Sequence, residues 1–416
     1  LGRVHLDRAR ALDRRLVKAA RCVRVLSTLT WDEHVVNRFL ETWRKGRPEV
    51  PEVAYQGIDL AGARQELRAV AGAADEAEPL QAFIARTARS YLAAARMLEA
   101  IGDEAFTARS IEIYGAPAQR LQGARRSHHE LASALLDNTA DLAVQGVVPE
   151  QDLCLTAEEV RHRLGESFLS FFGDRAPVVV VDPALASKAA AGSRRVRLRG
   201  RTCFSEIDID QLREHEGYVH AATKLNGKSQ PILSCLGLSS PRTTLTQEGL
   251  ATFAEVITQS LDVARLRRIA LRIVAIQDAL DGADFIEVFR RFLDGGQTES
   301  ESARSAMRIF RGGDPRGGVV FTKDVVYLAG LVAVHTFLRK AIAGGHPALV
   351  RRLFVGRLSL SDLMPLSSAF DAGHLRSAAF VAPWATRLDR LSAHLAFSAA
   401  IDHVDLESFS LPGVGV

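Results

Sequence analysis

Along most of this 416-residue chain apolar residues recur at three- and four-residue spacing, and in one place only the pattern gives way to period two. Helical spacing runs through Ala11–Leu29, Pro79–Gly102 and Ala118–Val144, the last stopped by Gly146 and Pro149. Pro48 and Pro51 break it between Gly46 and Gly57, which reads as a loop. The change comes at Ala176. The run PVVVVDP is short, β-branched and bounded by prolines, so it predicts a buried strand. The following RRVRLRGRTCFSEID alternates Arg with Val and Leu, a strand with one cationic face. From Asp210 the helical pattern resumes, interrupted by the polar GGQTESESA, the glycine-rich RGGDPRGG and an irregular tail after Glu407. The fold class is therefore α+β and mostly helical. A helical amino-terminal region (1–150) packs on a second part (151–416) holding a sheet at about 176–206.

Composition narrows the function classes. Hydrophobic residues at 47% and charged residues at 25% are ordinary globular values and exclude a disordered chain. The formal charge of +4, from 53 basic and 49 acidic residues, is too small to imply nucleic acid. Four cysteines, at 22, 154, 203 and 235, are far apart without a CxxC pair. That pattern predicts no disulfide scaffold and a reducing, cytoplasmic compartment. The longest apolar stretch, Val325 to Leu338, carries Tyr327 and His335 and is too short to span a bilayer, so no membrane is expected.

Chemistry concentrates in REHEGYVHAATKLNGKSQP and the following TLTQEGLATFAEVI. His215, Glu216 and His220 form HExxxH. In the common zinc-peptidase pattern the histidines are four apart and the glutamate between them is the general base. Five apart on a regular α-helix, the second histidine is turned from the first by roughly 140°, against roughly 40° for four. A π-bulge would absorb the extra residue, and Gly217 would tolerate the distorted backbone. Spacing alone leaves open an ordinary surface His-Glu pair with an unrelated second histidine.

Glu248 follows on a helix at about 245–262, in whose first turn a T-x-x-Q capping box of Thr244 and Gln247 would place it. From there it could join the two histidines on a metal carried by a helix at about 210–225. Two histidines and a glutamate leave one position for water, as in a catalytic zinc site. Zinc would bring that water's pKa to about 7, and Glu216 would take its proton. Glu255 shares a face with Glu248 and would accept a histidine N–H, or be a plain surface carboxylate.

The string QEGLA at Gln247–Ala251 resembles the proteins named for it, the flavohemoglobin expression-modulating QEGLA group. These are similar to the microtubule-associated tyrosine carboxypeptidases, whose zinc site likewise uses HExxxH and a downstream glutamate. LNGKSQP and RIFRGGDPRGGVVFTKDVVYLAG (Arg308–Gly330) also look alike, and the likeness is best over Ala176–Leu338. The resemblance implies a gluzincin-type zinc metallopeptidase with one Zn2+, ligands His215, His220 and Glu248, and Glu216 as base. It also implies an edge strand over the metal, for which Val196–Phe204 fits and to which a substrate backbone could add.

A carboxypeptidase further needs donors for a terminal carboxylate. Arg308, Arg311 and Lys323 offer them, and the Tyr327 hydroxyl could stabilise an oxyanion. The same residues also read as plain helix neighbours. Arg195, Arg197, Arg199 and Arg201 share a strand face that either attracts an acidic peptide tail or guards an edge against aggregation. His128 and His129 face different ways, His335 reads as a core histidine, and His374, His394 and His403 converge on nothing. The expectation is a carboxypeptidase removing an aromatic carboxy-terminal residue from a peptide or protein tail. An endopeptidase or dipeptidase on the same site, or a metal-binding regulator without catalysis, are the alternatives.

Overall fold

The computed structural model describes residues 3–144, 154–183, 185, 188–192, 194–200 and 202–401. In chain order the amino-terminal helices used below are α1 (Arg3–Ala20), α2 (Glu33–Arg44), α3 (Ala61–Ala73), α4 (Pro79–Glu99), α5 (Ala105–Tyr114) and α6 (His128–Asn138). The third helical run is shorter than its periodicity predicts. Ser127 and Glu130 cap each other's backbone, so the helix begins at His128 rather than near Ala118.

After α7 (Ala157–Phe172) come three strands, β1 (Val178–Asp182), β2 (Ala189–Ala191) and β3 (Arg195–Arg199). β3 is the central strand, parallel to β1 and antiparallel to β2. Its alternation is as predicted: Val196 and Leu198 are buried while Arg195 and Arg197 are exposed. Arg201 lies outside the described residues. The edge-strand expectation needs correction. The outer strands are β1, expected to be buried but with Val178 exposed and only Val179 fully covered, and β2, which carries only alanines and so gave no period-two signal; β3 lies between them. The cysteine expectation also needs correction. Cys154 and Cys203 are bonded, joining the start of α7 to the segment that leaves β3, beside a bridge between Leu155 and Phe204.

One unbroken helical rod follows: α8 (Glu206–Leu212), a π-helical stretch over Arg213–Ala221, and α9 (Ala222–Lys228). Ser205 and Asp208 cap its start four residues before the predicted one. Next come α10 (Thr244–Ile257), α11 (Val263–Leu280), α12 (Phe285–Asp294), α13 (Glu299–Phe310), α14 (Val326–Ala343) and shorter helices ending in α15 (Leu388–Ile401). α13 begins inside the polar GGQTESESA run because Thr298 and Glu301 form a capping box there.

α1, α3, α4 and α5 share one apolar core with α10, α14 and the carboxy-terminal helices, in which Leu16, Phe83 and Ile84 join Leu250, Val334 and Phe354, while α2 and α6 pack with α11, α12 and α13 in a second core. With the 3-10 turn before it, α14 spans Lys323–Ala343, long and apolar enough to cross a membrane by length and composition alone; half of it is buried. LNGKSQP proves to be a clasp. Asn226 donates to the Phe354 and Phe380 carbonyls and accepts from the Ala379 and Phe380 amides, while Gln230 does the same with Val355 and Arg376.

Candidate active site

The extra residue of HExxxH is taken up by the π-helical stretch, where hydrogen bonds run from i to i+5. Residues five apart then stack as residues four apart do in an α-helix. The His215 and His220 rings lie edge to face with centroids 4.7 Å apart. Gly217, inside this stretch, also has a packing role that the sequence did not suggest. A Cβ there would lie 2.2 Å from the Phe168 ring, so glycine lets α7 close against the π-turn.

Glu248 reaches both histidines. Its Oε2 is 3.5 Å from His215 Nε2 and 3.5 Å from His220 Nε2, and the three donor atoms lie within 4.8 Å of one another. Atoms bound ~2.0–2.1 Å from a tetrahedral zinc would stand about 3.3 Å apart. The donor set and its spacing therefore fit a metal of this kind. The helix delivering Glu248 is not built as the sequence suggests. Thr243 is the N-cap and makes no side-chain cap, and Glu248 lies in the second turn. Gln247 instead accepts a hydrogen bond from Thr223 at 2.9 Å.

Glu255 is fully buried and accepts from His215 Nδ1 at 2.6 Å, Gln211 Nε2 at 3.0 Å and Arg265 Nε at 3.1 Å. Burial alone would raise its pKa, but Arg265 and His215 outweigh burial and bring it down to about 2. Burial would likewise push His215 down, yet its bonds to Glu248 and Glu255 lift it to about 10. Burial would raise Glu248; Lys323 and the two histidines hold it well below the carboxylate range. His220 is lowered, chiefly by burial. Two like carboxylates around one imidazole make an electrostatic well that a proton or a metal cation fills. Glu216 is buried, and neither its Oε2 nor His220 Nδ1 has a partner among the described residues.

The chain belongs to the microtubule-associated tyrosine carboxypeptidase family. The family's model matches residues 37–403, well beyond the Ala176–Leu338 over which QEGLA and FTKDVVYL suggested the likeness. No curated protein matches the chain.

In this family member a cavity of about 740 Å³ opens beside His215, Glu216, His220 and Glu248, with Ala189–Ala191 of β2 on its wall. A smaller one, about 140 Å³, lies against the other side of His215 and Glu216. Tyr327 and Arg308 line both.

The expected carboxylate donors are mostly engaged. Arg308 forms two 2.7 Å hydrogen bonds to Asp324, and Lys323 Nζ lies 3.3 Å from Glu248 Oε1. Lys323 also sits 5.1 Å from the Tyr327 ring centroid, with Arg272 at 5.4 Å and Arg265 at 6.0 Å. Arg311 is buried and finds no hydrogen-bond or ion-pair partner among the described residues; it only covers the Phe321 ring. Burial, then nearby Arg308, lowers it to about 10.

Sequence reasoning missed Arg265, Asp324 and Arg357. Arg265 is one of four arginines in ARLRRIALR, a run that reads as an amphipathic helix with its arginines in water, and Asp324 directly follows Lys323, so neither stands out locally. Among the remaining histidines, His128 is buried at the start of α6, His335 lies 6.0 Å from the Phe253 ring, and His403 is outside the described residues.

Proposed function

We propose that this chain is a zinc-dependent carboxypeptidase of the gluzincin type that removes an aromatic, tyrosine-like residue from the carboxy terminus of a peptide or protein. The observation that carries the reading is the His215–His220–Glu248 triangle beside a buried, unpartnered Glu216 oxygen. Family membership supports a hydrolase acting on peptide termini. His215, His220 and Glu248 would hold the metal, with Glu255 and Arg265 fixing the His215 ring.

When bound, zinc supplies Lewis acidity towards water and the scissile carbonyl. Glu216 takes a proton from the attacking water, whose oxygen adds to the carbonyl carbon. Glu216 then returns the proton to the departing nitrogen as the C–N bond breaks, releasing the terminal amino acid and a shortened chain. Tyr327 would donate to the developing oxyanion. Lys323 tempers the charge of Glu248 rather than holding substrate. The smaller cavity, with Arg268, Arg272 and Arg304 on its wall, favours acidic residues upstream of the scissile bond.

The test is metal content on protein purified without chelator, beside His220→Ala, together with hydrolysis of a peptide ending in tyrosine. About one zinc per chain, lost in the variant, with release of free tyrosine is expected. Glu216→Gln should keep the metal and lose turnover by about 10²–10⁴-fold. An active Glu216→Gln enzyme, or a wild type that takes up no zinc, would sink this reading.

A further inference from the structure

An enzyme that removes terminal residues must recognise a carboxylate, and two of the cations nearest the metal triangle already have one. Asp324 occupies Arg308 and Glu248 occupies Lys323. Arg311 differs. It is 6% exposed, its Nε is buried without an acceptor, and no carboxylate of the described residues pairs with it. An unpaired guanidinium taken out of water is destabilising, as any uncompensated buried ion is. A ligand that brings the missing anion would recover that cost.

Arg357 stands on the same cavity in a similar condition. It donates to the Ser239 hydroxyl at 2.8 Å and to the His220 carbonyl at 3.4 Å, and among the described residues its Nε has no acceptor and no carboxylate pairs with it. Its bond to the His220 backbone sets it at the rim of the metal triangle. Two tyrosines complete the lining, Tyr91 from α4 and Tyr114 from α5. They are 4% and 5% exposed, yet neither hydroxyl makes a hydrogen bond to a described residue. Burial pushes Tyr114 up to about 12, with Lys323 and Arg311 close enough to pull it back; Tyr91 is raised in the same way and feels Arg357. Both hydroxyls therefore keep their protons and can donate.

We propose that Arg311, Arg357, Tyr91 and Tyr114 form the subsite that grips the terminal carboxylate of the substrate. A carboxylate offers about four acceptor positions, and around this cavity two guanidinium groups have no carboxylate partner, and two hydroxyls no acceptor, among the described residues. The proposal rests on the carboxypeptidase reading and sharpens it. Half of the subsite comes from amino-terminal helices, so those helices belong to the catalytic unit, and cleavage is confined to chain ends. Arg311, anticipated from sequence beside Arg308 and Lys323, is the one of the three left for substrate.

The experiment compares N-acetyltyrosine with N-acetyltyrosinamide as ligands of the zinc-loaded protein by thermal shift, and a peptide ending in free or amidated tyrosine as substrate. The acid should bind at least about tenfold tighter than the amide, as loss of a charged hydrogen-bond pair implies. Arg311→Met should narrow that preference to about twofold while raising the melting temperature of the free protein, because it removes an unpaired buried charge. Should that variant fail to fold, Tyr114→Phe removes a single donor and should weaken the acid alone. Acid preference without hydrolysis would uphold the subsite and overturn the hydrolase. Hydrolysis of acid and amide alike, a preference that survives both Arg311→Met and Arg357→Met, or binding of neither ligand would overturn the subsite.

Discussion

Gly249 of α10 and Gly330 of α14 meet backbone to backbone: a Cβ on Gly249 would lie 2.2 Å from the Gly330 carbonyl oxygen. A Cβ on Gly330 would in turn come within 2.3 Å of the Leu245 carbonyl oxygen. The glycine of QEGLA and the glycine of VVYLAG are thus two halves of one helix crossing. Through it Lys323, just ahead of α14, comes within 3.3 Å of Glu248. Gly249→Ala forces apart backbone atoms that have no rotamer to relax into. It should cost about 3 kcal/mol, read as a lower denaturant midpoint, and weaken zinc uptake. An unchanged midpoint would contradict the close crossing.

Glu255 holds His215 and Arg265 together in a fully buried position. Glu255→Ala leaves the guanidinium without its counter-charge and the imidazole without its acceptor. A loss of about 3–5 kcal/mol in unfolding free energy is expected, with zinc affinity falling about 10–100-fold in a competition titration. Glu255→Gln keeps an acceptor oxygen and should lose less of both. Equal zinc affinity in wild type and Glu255→Ala would remove Glu255 from the metal's support.

How much of this was legible in the sequence varies with the range of the interaction. The helices follow from local periodicity, β3 from alternation and β1 from a short β-branched run; spacing alone leaves the meeting of His215, His220 and Glu248 open, and it is the family resemblance, with one structural device, the π-turn, that points to it. What was missed depends on partners distant in the chain. Gly217 was assigned to backbone freedom because nothing local shows Phe168 approaching it. Thr244 and Gln247 have the pattern of a cap, but Thr223, more than twenty residues earlier, takes Gln247 instead. Arg308 and Lys323 read as free cations because Asp324 and Glu248 reach them only in the folded chain. The three alanines of β2 have no period to read. The Thr298–Glu301 box, by contrast, was present in the local sequence and outweighs the polar character of the run around it.

The bond between Cys154 and Cys203 closes a separation of 49 residues that contains α7 and the whole sheet. A loop of that length loses enough chain entropy on cross-linking to be worth about 4 kcal/mol. Reduced wild type and Cys203→Ser should therefore melt alike, and both below the oxidised protein. Because β2 lines the cavity, turnover should become more temperature-sensitive in the same two samples. Identical melting curves with and without a metal-compatible reductant would show that the bond adds nothing.

Lys224 follows His220 by one helical turn and is mostly buried, with Arg357 and Lys228 close by. Burial first, then those two cations, lowers its pKa from 10.5 to about 8. A lysine with a depressed folded pKa binds fewer protons folded than unfolded between those two values. The contribution of Lys224 to stability must therefore rise with pH from about 8 to about 10.5, and its penalty is fully present below that window. Lys224→Met should stabilise the protein at pH 7 by an amount on the order of 2 kcal/mol. That advantage should shrink steadily across the window and vanish above it. Unfolding curves of the two proteins at pH 7, 9 and 10.5 check the sign, and a constant difference at all three would show that the gain comes from packing rather than from the charge.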